Sequence, residues 1–135
     1  MSAVCDLFGD VVFAYTREQA ITDGVLVDVS SVASNSGFQI PVAVTSTVWE
    51  LYIEWTDEDS DKQTIQDESG RLADVLWMLY LACKKNKGES SIKYELYIIP
   101  RDGFSKKPVL VTLKSIISGG DAGEPVITIM LPNED

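Results

Sequence analysis

The last third of the chain limits the possible folds more than any other part. Three β-branched and aromatic runs, SIKYELYIIP, KPVLVTLKSII and PVITIML, follow one another with only RDGFSKK (101–107) and SGGDAGE (118–124) between them. Each run alternates partly with period two, as a half-buried strand does. The connections are too short for a crossover helix, so the spacing predicts an antiparallel three-stranded meander. One face of such a sheet needs an apolar cover. The segment before it supplies one: GRLADVLWMLYLACKK (70–85) reads as a helix, capped by Asp67 or Ser69 and ending in Lys84 and Lys85. Leu72, Val75, Leu76, Leu79, Tyr80 and Cys83 mark one face. Trp77, Met78 and Leu81 make the rest apolar as well, which predicts central burial, with an oligomer contact as the alternative.

Upstream, local signals are shorter. VVFAY (11–15) reads as a short strand or an extended lead-in. TREQAITDG carries a capping box, Thr16 with Gln19, and a stop at Gly24. VLVDVS alternates like a strand, and Ser30 or Ser31 can cap a further helical turn reaching 35–37. The stretch VAVTSTVWELYIEW is ambiguous: Val42, Val44, Val48 and Ile53 favour strand, whereas Trp49, Tyr52 and Ile53 fall at helical spacing. A helix over about 46–55 with Thr45 as N-cap is the expectation. The whole reads as one α+β domain, 1–135. It has an N-terminal helical part and a central apolar helix packed on a C-terminal three-stranded antiparallel meander.

Charge is segregated along the chain. Residues 1–83 hold fourteen acidic side chains against three basic ones, while residues 84–118 hold eight basic against three acidic, within a net charge of −10. Such an acidic excess repels nucleic acid and anionic membrane and attracts basic partners. No apolar run approaches the roughly eighteen residues of a membrane span, and the N-terminus lacks a basic, then apolar, leader. A cytoplasmic location is expected. Cys5 and Cys83 do not form a disulfide framework. The chain contains no histidine, P-loop, GxSxG or dinucleotide fingerprint, so the expectation is a non-enzyme with no cofactor. Cys83 in an apolar helix reads as packing rather than chemistry.

The densest acidic stretch, DEDSDKQTIQDE (57–68), places six carboxylates in twelve positions, with Glu54 just upstream. It reads as a wet loop between helices, and three uses compete with plain solvation. Asp57, Asp59, Asp61 and Glu68 fall at positions 1, 3, 5 and 12 of a calcium loop, with Gln63 at position 7. Lys62 stands where the sharp turn wants glycine, and Thr64 where an apolar residue belongs, so a metal site is a weak alternative. Direct nucleic-acid binding could draw on Lys84, Lys85, Lys87, Lys93, Arg101, Lys106, Lys107 and Lys114, but these span several elements and net charge opposes it. Imitation of nucleic acid runs the other way. Carboxylates set as densely as phosphates can fill the basic groove of a DNA-binding protein.

The stretches YTREQAITDGVLVDVS, QDESGRLADVLWM and GEPVITIMLPNED resemble a family of small acidic proteins of unknown function encoded on bacterial plasmids, conjugative elements and phages. The likeness spans Val12 to Asp135. It implies a bacterial cytoplasm and an accessory role on a mobile element, for which disarming a host defence is one task. It brings no reaction, cofactor or catalytic residue. Arg71–Asp74 belongs to a motif that recurs in the family. The resulting expectation is a protein-binding surface made of Glu54, Asp57, Glu58, Asp59, Asp61, Asp67 and Glu68, with Trp55 as an aromatic anchor beside Trp49 and Tyr52. The expected partner is a basic protein, with a nucleic-acid-binding protein as its finer form; self-assembly through the apolar helix and the sheet edge is the rival.

Overall fold

The computed structural model describes residues 15–134. Most of VVFAY, and Cys5, lie outside them. The first helix, α1 (Arg17–Thr22), has the expected capping box: the Thr16 side chain accepts the Gln19 N–H and the Gln19 side chain accepts the Thr16 N–H. Gly24, at φ 81°, turns the chain into β1 (Leu26–Asp28). Helix α2 (Ser30–Asn35) follows, and its start is held by Asp28 rather than by a serine cap. Asp28 Oδ1 accepts from both the N–H and the hydroxyl of Ser30, at 3.0 and 2.6 Å.

The ambiguous stretch contains both elements in succession. Val42–Thr45 is strand β2, and the chain turns helical at the next residue, with the Thr45 side chain accepting the Val48 N–H. Helix α3 (Ser46–Val48) runs straight into a π-helical turn, Trp49–Ile53. Then come α4 (Asp57–Lys62), α5 (Glu68–Lys85), β3 (Ser91–Ile98), β4 (Val109–Gly119) and β5 (Pro125–Met130). Asp67, not Ser69, caps α5, accepting the Gly70 N–H at 2.6 Å.

The class is α+β, but the sheet is wider than a meander. Its order is β1-β2-β5-β4-β3. The last three strands pair antiparallel in chain order, β2 then joins β5 in parallel, and β1 pairs antiparallel with β2. A three-stranded sheet would leave both edges of the apolar β5–β4–β3 layer to be blunted, and β2 removes one of them. Val42, Ala43 and Val44 are all fully buried, so β2 is a covered inner strand.

Helix α5 lies on the inner face. Leu72, Val75, Leu76 and Leu79 pack with Val44, Tyr94, Leu96, Ile98, Leu113, Ile127 and Ile129 in one core. The Tyr94 hydroxyl crosses that core to donate to the Val75 carbonyl at 3.2 Å. Burial is one-sided, contrary to expectation: Trp77 is 52% exposed and stacks on Tyr80, and Leu81 is also exposed. Cys83 is half-buried against the core, and burial pushes its thiol pKa up, as a packing role requires. Arg17 ties α1 to the sheet through the Thr128 hydroxyl and the Ile127 carbonyl, both at 2.8 Å. Among the described residues no helix is long and apolar enough to cross a membrane.

Candidate functional site

The first half of the acidic stretch is helical, not a loop. Asp57, Glu58 and Asp59 occupy the first turn of α4, where the helix dipole favours negative charge, and Lys62 sits at its end. Thr56 and Asp59 form a capping box: the Thr56 hydroxyl takes the Asp59 N–H, and Asp59 Oδ2 takes the Thr56 N–H at 2.8 Å. Asp59 takes the return position that Glu or Gln usually fills in a capping box.

Helical winding points the acids of α4 in different directions. Asp59 turns inward and is 9% exposed, meeting Arg101 Nε at 2.7 Å. Arg101 Nη1 also reaches Glu54 at 3.1 Å, so two of the expected epitope carboxylates share one partly buried cation. Burial alone would raise the Asp59 pKa. Hydrogen bonds from the Thr56 backbone, the Arg101 side chain and the Thr56 hydroxyl outweigh it and hold the carboxyl below its ordinary value. The Arg101 pKa rises in turn, first because of the Asp59 hydrogen bond.

Beneath this pair lies Arg71, 2% exposed. Among the described residues no carboxylate forms an ion pair with it. Its Nε donates to the Ile53 carbonyl at 3.2 Å, and its Nη1 donates to the Ile99 carbonyl at 2.7 Å and to Gln66 Oε1 at 2.8 Å. Nη2 approaches the Leu51 carbonyl at 3.4 Å, and the guanidinium lies 4.3 Å over the Trp55 ring. Two of these carbonyls, Leu51 and Ile53, lie in the π-helical turn, and Leu51 also accepts the Arg101 backbone N–H at 3.2 Å. The wider ladder of that turn, in which Glu54 N–H reaches back to the Trp49 carbonyl, leaves Leu51 and Ile53 at a helix end without intrahelical partners. Burial pushes the Arg71 pKa down to about 10, with Asp59 opposing the shift, so the group stays charged at neutral pH.

Gln63, also buried, closes the site from the other side. Its amide donates to the Pro100 and Ser105 carbonyls at 2.9 and 2.7 Å and accepts from the Gly103 N–H at 3.0 Å. Asp102 shapes the same turn by accepting from the Ser105 hydroxyl and from the Phe104 and Ser105 N–H groups, which keeps its pKa low.

Of the expected surface residues, Asp57, Glu58, Asp61, Asp67 and Glu68 are exposed. Glu54 is partly covered, and Asp59 and Trp55 turn inward. Trp55 is no exposed anchor, because its Nε1 donates to the Ser60 hydroxyl at 3.1 Å and its face carries Arg71. The calcium-loop spacing of Asp57, Asp59, Asp61 and Glu68 does not gather them. Residues two apart on a helix point about 200° from each other, and among the described residues no three acids are grouped to hold a metal ion. The basic side chains do not converge either: Arg101 faces inward and Lys114 donates to the Glu134 carbonyl.

A family model described as "Family of unknown function (DUF6573)" matches residues 6–135. The chain belongs to that family. No match was found among curated proteins or among solved structures. DUF6573 membership spans every element described above, including the Arg71 and Arg101 contacts. Arg71, the first residue of the Arg71–Asp74 stretch, makes internal contacts throughout. Arg71, Arg101 and Gln63 were named in the sequence for other reasons, and their bracing of this segment was not read there. The one signal was Arg71 itself, a charge set on the flank of an apolar helical stripe.

Proposed function

We propose that this protein acts by binding another protein through the outer face of residues 57–68, without catalysing a reaction. The supporting observation is the division of labour within the acidic stretch. Asp59 and Glu54 are tied to Arg101 underneath, which holds Asp57, Glu58, Asp61, Asp67 and Glu68 outward on a braced segment. A preorganised set of like charges attracts a basic surface at little conformational cost on binding. The lone intrasegment cation on that face is Lys62, paired with Glu58 at 3.0 Å. The partner class is therefore a basic protein, in keeping with one that normally grips nucleic acid. In an accessory protein of a mobile element, such binding would block a host defence or DNA-binding protein by occupying its phosphate-binding groove.

A pull-down from bacterial lysate at low and high salt tests this against a variant carrying Asp57→Asn, Glu58→Gln, Asp61→Asn and Glu68→Gln. Asp67 is left in place because it caps α5. The expected result is capture of a nucleic-acid-binding protein that salt weakens, that duplex DNA competes away and that the variant loses while melting as the parent does. Equal capture by the variant would remove the reading.

A further inference from the structure

The sheet has one long unpaired edge among the described residues, the outer side of β3. The Ser90 carbonyl accepts the Ile117 N–H, so by two-residue alternation Ile92, Tyr94, Leu96 and Ile98 bond inward to β4. The backbone N–H and C=O groups of Ser91, Lys93, Glu95 and Tyr97 therefore point out of the sheet. A flat edge of eight residues is a template for another strand.

We propose that this edge joins a second copy of the chain, β3 against β3 and antiparallel, with Tyr94 on the two-fold axis. In that register Lys93 of each copy faces Glu95 of the other, and Ser91 faces Tyr97. Sliding by one pair places Lys93 opposite Lys93 in one direction and Glu95 opposite Glu95 in the other. Like charges directly opposed across strands are unfavourable, so the two side chains select a single register and oppose its neighbours.

The surroundings of Lys93 fit this. Within the chain it stands opposite Lys114 on β4, and neither Lys93 nor Glu95 belongs to an ion pair among the described residues. A partner's Glu95 gives Lys93 the counter-charge that its own sheet withholds. The two-fold axis also brings both α5 helices to the same side of the joined sheet. Between α5 and the β3 edge runs a groove of about 580 Å³ lined by Met78, Leu81, Ala82, Lys85, Lys93 and Tyr94. Its apolar wall, with Leu81 exposed, would pack against the same wall of the second copy. This inference does not depend on the acidic surface having a partner.

Sedimentation equilibrium of the full chain over a concentration series tests it. The expected result is a dimer that Lys93→Glu or Glu95→Lys weakens roughly tenfold, and that the double exchange Lys93→Glu/Glu95→Lys restores. Lys93→Glu should leave the fold intact, because it also removes the repulsion from Lys114. Amide exchange on the unmodified chain gives a second reading: protection of Ser91, Lys93, Glu95 and Tyr97 should rise with protein concentration. A chain that stays monomeric, a dimer indifferent to the single reversals, failure of the double exchange to recover, or concentration-independent amides would each overturn the proposal.

Discussion

Two arginines close enough to feel each other's charge are neutralised in opposite ways. Arg101 meets carboxylates, Asp59 and Glu54, at the protein's rim. Arg71 lies deeper and meets backbone carbonyls and an aromatic face instead. A guanidinium can satisfy several fixed acceptors at once, and a planar cation on indole needs no buried anion to accompany it. The difference shows what each contact does. Arg71 fastens the π-helical turn and the end of β3 to α5, whereas Arg101 fixes the orientation of an acidic helix already in place.

The sharpest way to break this comparison is to remove the deeper cation. Arg71→Met keeps much of the volume but leaves the Ile53 and Ile99 carbonyls without donors. Each such buried group costs about 1–3 kcal/mol, so urea denaturation should show a loss of about 3–5 kcal/mol. Arg71→Lys should recover only part of it, because one ammonium cannot span both carbonyls and the ring.

Arg101→Ala should cost less, about 1–3 kcal/mol, by leaving Asp59 without its cation. The two arginines also differ in pH response. The native pKa of Asp59 lies below its ordinary 3.8, so its stabilising contribution is complete above that value and is lost as pH falls through the native pKa. Arg101→Ala should therefore lower stability above about pH 4 and shrink the acid limb, and Asp59→Asn should remove the Asp59 share of that limb altogether. Arg71→Met should lower the whole profile without changing its shape near pH 4. The smallest effect belongs to the outer face. Lys62→Ala removes one exposed i,i+4 pair and should change stability by about 0.3–0.5 kcal/mol, less at high salt.

How much was legible follows from the range of each signal. Helix α5 and the β3–β4–β5 pairings were readable because their periodicity and turn chemistry are local. The parallel join of β2 to β5 was not, since nothing in VAVT states which strand it will meet. The abrupt change from strand to helix at Thr45 made two correct local signals look like a contradiction. The acidic stretch was located correctly but misjudged in orientation. Six residues of helix and one distant arginine, Arg101, decided which acids face water, and neither is visible in a count of charges. Trp55 looked like an anchor for a partner because its cation, Arg71, lies on the next long helix.

The five-residue turn at Trp49–Ile53 has a consequence for how this segment tolerates change. A π turn holds one residue more than an α turn, so a deletion that rewinds it as α-helix is absorbed locally and keeps the flanking segments near their present headings. The turn is thus a place where the chain can shorten by one residue without re-aiming the acidic helix. What a deletion there would disturb is the pair of carbonyls, Leu51 and Ile53, that hold Arg71, together with the fully buried Ile53 side chain.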